Sequence, residues 1–289
     1  KFKNFNISKF KNLKNFKNEK WFKKIRLLDS LKLNYKYSYT KEQIKKINKN
    51  KNFRLIGMGG STLGVEAIYQ FLNHKIKKNF TFINNLNSKL KNSERKIKAT
   101  NIIISKSGNT LETIVNSNRL INNSKNIFIT ENKKSYLNNL AHDLKAEIVE
   151  HKNYIGGRYS VLSEVGMLPA ELMGLNYKNF RQLNNLVKNK KYLNALISNV
   201  SSIIFFIKKK KYNSIIINYD KRSENLFFWY QQLIAGSLGK KKKGLMPIVS
   251  NMPKDNHSVT QLYLDGFTNN FFTFFFVREK GSQRIINKN

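Results

Sequence analysis

The 289-residue sequence contains no cysteine, which excludes disulfide bonds, a thiol nucleophile and a thiolate metal site. Histidine is scarce as well. The four histidines are His74, His142, His151 and His257, and no two of them have the H-x-x-x-H spacing of a metal-binding helix. Long apolar runs are also missing, since the longest stretches are far shorter than a membrane span. We therefore expect a cytoplasmic protein without a metal centre or a membrane segment.

Acidic residues are few: 17 Asp and Glu stand against 54 Lys and Arg, which gives a formal net charge of +37. Such a basic chain raises the hypothesis of a nucleic-acid partner. The lysines, however, are spread over every polar face and accompany many Asn, Ile, Phe and Tyr residues, a set that A/T-rich codons encode. We therefore expect no specific nucleic-acid binding, and a broad positive potential that attracts anionic substrates.

Strand and helix patterns alternate between residues 53 and 150. Apolar runs predict strands at 53–57, 80–84, 101–104, 126–130 and 146–149, with helices at 61–73, 110–122 and 135–142. This order is typical of a doubly wound α/β sheet, in which ligands bind at the carboxyl ends of the strands.

The remaining segments suggest a helical start and a second α/β unit. Residues 1–50 have apolar positions at helical spacing, namely Trp21, Phe22, Ile25, Leu28 and Leu31. Helices are predicted at 161–175, 177–188, 191–208, 223–238 and 258–264, and extended segments at 212–219, 245–249 and 271–277. The second unit has too few strands to complete a sheet. We expect a helical segment at 1–50, a first domain at 51–175 and a truncated second domain at 176–289.

Two of the predicted strands run into turns of small and hydroxyl residues that precede a helix. These turns are Gly57-Met-Gly-Gly-Ser-Thr-Leu-Gly64 and Ser105-Lys-Ser-Gly-Asn-Thr110. Because a helix N-terminus offers unpaired N–H groups and the positive end of the helix dipole, both turns suit an anion. Neither has the Gly-Lys-Ser/Thr of a Walker A loop, and Thr62 replaces the third glycine of the dinucleotide motif. We predict that a small phosphorylated ligand binds where the turns meet.

Six stretches, in this order and spacing, resemble the phosphoglucose isomerase family, which is built of two sugar-isomerase (SIS) domains. Together they extend over roughly residues 50–270. They are the two turns, Gly156-Gly-Arg-Tyr-Ser160 with Val165-Gly-Met-Leu-Pro169, Trp229-Tyr-Gln-Gln-Leu233, Ser237-Leu-Gly-Lys240, and Asp255-Asn-His-Ser258 leading to Gln261-Leu-Tyr-Leu-Asp-Gly266.

The resemblance implies an α/β protein of two SIS-type doubly wound parallel-sheet domains, the second incomplete. It implies an aldose–ketose isomerase that interconverts glucose 6-phosphate and fructose 6-phosphate, needs no cofactor and forms a homodimer when complete. Arg158 matches the arginine that stabilises the developing enediolate, and His257 the histidine that helps to open the sugar ring. The implied substrate-binding residues are Gly60, Ser61, Ser105, Lys106, Ser107, Gly108, Asn109, Thr110 and Gln232.

One position departs from the family pattern. The family's catalytic base is the glutamate that opens a Glu-Ser-x-Gly-Lys segment, and here Gly236 occupies that position before Ser237. The family's C-terminal lysine segment is also missing. We therefore expect the chain as given to bind sugar phosphate and to be impaired in catalysis. The alternative is a non-catalytic sugar-phosphate-binding SIS protein, such as a regulator.

Overall fold

The structure, a computed structural model, describes residues 25–86, 98–121 and 125–278. Contacts divide the chain into two compact units, and the boundary falls between Phe205 and Phe206. The predicted helical positions Trp21 and Phe22 lie outside the described residues.

The first unit alternates strands with helices. Its strands are β1 (Asn52–Gly57), β2 (Asn79–Ile83), β3 (Thr100–Ile104), β4 (Asn126–Thr130) and β5 (Glu147–Glu150). Its helices are α1 (Lys41–Asn48), α2 (Leu63–Phe71), α3 (Leu111–Leu120), α4 (Tyr136–Asp143), α5 (Glu164–Leu172), α6 (Tyr177–Phe180), α7 (Leu183–Lys188) and α8 (Lys190–Lys208), the last of which contains the unit boundary. Short 3₁₀ helices occur at Arg26–Leu31, Gly59–Ser61, Asn73–Lys75 and Gly157–Leu162.

The five strands form one parallel sheet in the order β2-β1-β3-β4-β5. Successive side chains of a strand point to opposite faces, so an unbroken apolar run buries both. Ile102 and Ile104 pack on one face with residues of α1, α2 and α5, while Ile103 packs on the other with residues of α3 and α4. Helices therefore cover both faces, and the doubly wound α/β prediction is confirmed.

The second unit repeats part of this plan. It contains β6 (Asn213–Asn218), α9 (Glu224–Leu238), β7 (Met246–Asn251), α10 (Thr260–Asp265) and β8 (Asn270–Phe275), with 3₁₀ helices at Lys221–Ser223 and Lys254–Asn256. Its parallel strands lie in the order β7-β6-β8, which matches the order β2-β1-β3 of the first unit. Aromatic pairs attach β8 to its neighbours, for example Phe206 stacked on Phe271 with ring centroids 4.9 Å apart.

Most element boundaries agree with the sequence predictions, and β4 coincides with its predicted range. Two predicted helices differ from the structure. The helix predicted at 177–188 is divided into α6 and α7 at Arg181 and Gln182. The stretch predicted as helical at 161–175 begins in the 3₁₀ helix that ends at Leu162, and α5 occupies only Glu164–Leu172.

Candidate functional site

The first turn follows β1 at the carboxyl edge of the sheet. Gly57, the last residue of β1, is in register with Ile104, the last residue of β3. A Cβ at position 57 would lie 2.9 Å from the carbonyl oxygen of Ile104 and 2.9 Å from the Cβ of Ser61. The Cβ of Ser61 therefore lies over the end of β1.

The second turn, Ser105–Thr110, follows β3 directly. The hydroxyl oxygens of Ser105 and Thr110 are 2.9 Å apart and share a hydrogen bond, which closes the turn in front of α3. Gly108 has a positive φ of 69°, and a Cβ there would lie 2.1 Å from the Oγ of Ser135. Only glycine fits this position. The two turns thus start from paired strand ends.

Hydrogen bonds within and beside the second turn fix its remaining side chains. The Oγ of Ser107 accepts a bond from the backbone N–H of Asn109 (3.2 Å), and the Oδ1 of Asn109 accepts one from the backbone N–H of Tyr136 (2.9 Å). The ammonium group of Lys106 donates to the carbonyl oxygen of Asn153 (2.6 Å) and lies 3.5 Å from the Glu131 carboxylate. Part of the positive charge of Lys106 is therefore balanced by Glu131.

Arg158 lies in the 3₁₀ helix Gly157–Leu162, next to the first turn. A Cβ on Gly60 would lie 2.4 Å from the carbonyl carbon of Gly157 and 2.6 Å from the backbone nitrogen of Arg158. The first turn and the Arg158 segment are therefore in backbone contact. The side chain of Arg158 is half-buried, and its guanidinium carbon lies 5.9 Å from the ring centroid of Tyr159.

A cavity of about 320 Å³ lies at the ends of β4 and β5, beside the second turn. Its walls carry charge of both signs, with Glu131, Lys133, Glu150 and Lys152 among the lining residues. Burial alone would raise the pKa of Glu131, but the ammonium groups of Lys133 and Lys106 lower that pKa overall.

His151, which also lines the cavity, is buried. Burial lowers the pKa of His151 below its usual value of 6.5. Its ring Nδ1 lies 3.2 Å from the carbonyl oxygen of Lys152. The imidazole is therefore held against the backbone, and its burial favours the neutral form.

The second unit carries the other three residues that the resemblance singled out. Gln232 lies on α9, and its Oε1 is buried without a hydrogen-bond partner among the described residues. Gly236 is a half-buried residue two positions before the end of α9. His257 is exposed and follows the 3₁₀ helix Lys254–Asn256, whose Asp255 carboxylate accepts bonds from Ser250 Oγ (3.1 Å) and the backbone N–H of Asn251 (2.8 Å).

Two buried charged residues near Arg158 were not predicted from the sequence. Glu164 is fully buried at the start of α5, and Arg181 is 5% exposed between α6 and α7. Neither stands in a motif that would have identified it, because their hydrogen bonds to the segment around Ser30 and Tyr35 join residues more than a hundred positions apart in sequence.

Within the described residues, no group of three or more His, Asp or Glu side chains is arranged to hold a metal ion. No helix in the same part of the chain is both long and apolar enough to cross a membrane.

Comparisons with known proteins point to one family. The family model described as phosphoglucose isomerase matches residues 38–285. The glucose-6-phosphate isomerase of Methanocaldococcus jannaschii is 34% identical over an alignment of length 256, which covers 82% of this chain and 63% of that protein. The glucose-6-phosphate isomerase of Fusobacterium nucleatum is 29% identical over an alignment of length 297, which covers 89% of this chain and 65% of that protein. The chain therefore spans less than two thirds of the length of these curated relatives.

Solved structures share the fold at lower sequence identity. A hypothetical protein from Thermus thermophilus has a TM-score of 0.72 at 21% identity, covering 93% of this chain and 71% of that one. A glucose-6-phosphate isomerase from Chlamydia trachomatis has a TM-score of 0.64 at 18% identity, covering 86% of this chain and 57% of that one. Both curated relatives named above are called isomerases, which does not favour the alternative of a non-catalytic sugar-phosphate-binding protein.

Proposed function

The chain belongs to the phosphoglucose isomerase family, and we propose that it binds a hexose 6-phosphate and serves the interconversion of glucose 6-phosphate and fructose 6-phosphate. This reaction belongs to glycolysis and gluconeogenesis, and we place it in the cytoplasm. In its complete form the protein would act as a homodimer.

One observation carries the proposal: two hydroxyl-rich turns leave paired ends of β1 and β3. Gly57 and Ile104 are in register, and the hydroxyls of Ser61, Ser105 and Thr110 follow these two strand ends. Backbone N–H groups at the starts of α2 and α3 add the donors that a phosphate dianion requires. The phosphate of the substrate would bind here, on the Ser61 turn and the Ser105–Thr110 turn.

The isomerisation chemistry assigns roles to the remaining residues. Moving the carbonyl from C1 to C2 requires a base that takes the C2 proton and returns it to C1, and a cation beside the oxyanion that forms. Arg158 would supply that cation, close to the phosphate turn that its backbone contacts. Gln232 would bind the substrate and His257 would assist ring opening. Gly236 provides no carboxylate, so the chain as given would bind the substrate and isomerise it slowly.

Calorimetric titration with inorganic phosphate and with fructose 6-phosphate tests the binding site. Ser105→Ala and Thr110→Val each remove one hydroxyl of the turn, and we expect binding of both ligands to weaken about 10-fold or more, as for a lost hydrogen bond to a charged group. Ser201→Ala is the matched control, because among the described residues that hydroxyl bonds within its own helix, to the carbonyl oxygen of Ile197 (2.7 Å). Unchanged affinity in both turn variants would refute the proposed site.

A further inference from the structure

A segment near the start of the described chain crosses the Arg158 region, and we refer to residues 26–39 as the strap. Arg181 holds it. Its guanidinium donates to the carbonyl oxygens of Ser30 and Lys32 (3.1 Å for Lys32) and to the hydroxyl of Tyr37. The guanidinium carbon also lies 5.1 Å from the ring centroid of Tyr37. A buried charge that has this many oxygen acceptors is fixed in one geometry.

The same guanidinium reaches the helix that carries Arg158. It donates to the carbonyl oxygen of Leu162 (3.1 Å), the last residue of the 3₁₀ helix Gly157–Leu162. Inside that helix, the Oγ of Ser160 donates to the carbonyl oxygen of Gly157 (2.6 Å). Arg181 is thus bound to one end of a short, internally bonded helix whose second residue is Arg158.

The other end of this helix, at Gly157 and Arg158, contacts the phosphate turn, and Gly156 just before it lies near the strap. Gly60 packs against the peptide bond between Gly157 and Arg158. The Cδ1 of Leu27 in the strap would lie 3.6 Å from a Cβ on Gly156, an ordinary van der Waals distance. The Arg158 helix is therefore held between the phosphate turn and the strap.

A second buried charge fixes the strap on the far side of Leu162. The carboxylate of Glu164 accepts hydrogen bonds from the Tyr35 hydroxyl (2.8 Å) and from the backbone N–H (3.0 Å) and hydroxyl (3.2 Å) of Ser38. The ammonium group of Lys152 lies 3.8 Å from the same carboxylate. Two buried groups of opposite charge thus attach the strap on either side of the residue where the Arg158 helix ends.

We propose that Arg181 is a positioning residue for Arg158: by holding Leu162 and the strap together, it fixes where the Arg158 guanidinium stands relative to the phosphate turn. The inference rests on the proposed function, in which Arg158 faces the enediolate oxygens. Loss of Arg181 then weakens the recognition of those oxygens and leaves the recognition of phosphate intact.

Two probes separate these effects. Inorganic phosphate reports on the turns alone, whereas a phosphorylated aldonic acid, whose carboxylate imitates the enediolate oxygens, reports on the turns and Arg158 together. For Arg181→Met we expect phosphate affinity within about 2-fold of wild type and aldonate affinity reduced about 10-fold or more, the size of a lost charge-assisted contact. Arg181→Lys keeps the charge but lacks the planar fork of the guanidinium. Its aldonate affinity should therefore lie between those of the wild type and Arg181→Met.

A double-mutant cycle tells positioning from general destabilisation. Arg158→Ala should reduce aldonate affinity about as much as Arg181→Met, and the double variant should show no further loss, because both changes remove the same contact. Arg54→Met is the matched control. Arg54 is also a buried arginine, and from β1 it donates a hydrogen bond to Asn101 Oδ1 (3.4 Å). Any effect of Arg54→Met on aldonate affinity should add to that of Arg158→Ala.

Provided that phosphate still binds, two results would overturn the positioning role. One is that Arg181→Lys or Arg181→Met weakens the binding of both probes equally. The other is that the effects of Arg181→Met and Arg158→Ala on aldonate affinity are additive. Arg181→Lys keeps the test available if Arg181→Met does not fold. A wild-type chain that binds neither probe would instead overturn the proposed function, and this inference with it.

Discussion

Gly60 lies directly against the peptide bond that joins Gly157 to Arg158, so the backbone of the phosphate turn and the backbone of the arginine segment touch. No side chain separates them. The two segments cannot come closer together, because both are packed backbones with little room for an added atom.

Gly60→Ala tests this contact. The added methyl group would lie 2.4 to 2.6 Å from three backbone atoms of Gly157 and Arg158, so the two segments must move apart. We expect a loss of about 1–3 kcal/mol in the free energy of unfolding, measured by urea denaturation, together with weaker phosphate binding. Gly157→Ala is the control on the other side of the same contact. A Cβ on Gly157 would have no atom of the described residues within 4 Å apart from its chain neighbours, so it should fit without displacement. Similar behaviour of the two variants would contradict the close packing of Gly60 against Gly157 and Arg158.

Glu164→Gln tests the buried carboxylate under the strap. The change leaves the Tyr35 hydroxyl and the Ser38 N–H facing a group with less acceptor capacity, and it leaves the Lys152 ammonium without a negative partner at 3.8 Å. We expect a loss of about 2–4 kcal/mol in the free energy of unfolding. Asp143→Asn, at an exposed position at the end of α4, should change it by about 0.5 kcal/mol or less. A Glu164→Gln variant as stable as this control would show that the carboxylate does not hold the strap.

His151 gives the stability a defined pH dependence. Because burial lowers the pKa of His151 in the folded state, protons bind the unfolded chain more readily than the folded one. The stabilisation from the neutral ring is complete above pH 6.5 and is lost as the pH falls below that value towards the folded-state pKa. Thermal unfolding between pH 7.5 and pH 5.5 should therefore show a smaller loss of Tm in His151→Asn than in the wild type.

His142→Asn is the control for the pH experiment, since that histidine is exposed on α4. It should retain the wild-type pH dependence. A His151→Asn variant that follows the wild-type curve throughout would mean that the ring protonates without cost in the folded state.

Gly236→Glu tests whether this position on α9 is that of the missing base. In a chain that also carries the remaining length of its relatives, the restored carboxylate should raise turnover of glucose 6-phosphate to fructose 6-phosphate by about 10²–10⁴-fold, the usual contribution of a general base. Gly236→Gln is the matched control, because glutamine has a similar size and helix propensity but cannot act as a base. Near-equal turnover with Gly, Gln and Glu would place the base elsewhere.

The sheet of the first unit was predictable because its signals are local. The strands have apolar centres, as in Ile127-Phe128-Ile129, and the turns after β1 and β3 have the glycines and hydroxyls that end a strand and start a helix. Gly108 is an example: the turn requires a positive φ at this position, and a glycine in the sequence indicates such a requirement. The pairing of Gly57 with Ile104 then follows from the parallel order of the strands.

The surroundings of the site were not predictable, because they depend on partners that are distant in sequence. Lys106 stands in the predicted phosphate turn, yet its ammonium group is bonded to Asn153, 47 residues later. The helix expected at 177–188 is interrupted at Arg181, whose side chain turns into the interior to reach Ser30 and Leu162. Helical periodicity cannot show such an interruption, since tertiary contacts override local propensity there.

The bond between Arg181 and Ser30 also sets an order of events during synthesis, because the two residues are 151 positions apart in the chain. A ribosome adds about 5–20 residues per second, so roughly 8 to 30 s pass between the appearance of Ser30 and that of the arginine that fastens it. During that interval the strap lacks the Arg181 bonds, and until Glu164 has been made it also lacks that carboxylate, so it is more accessible to proteases and to other nascent chains. The strap is thus synthesised early, but its bonds to Arg181 can form only late in synthesis.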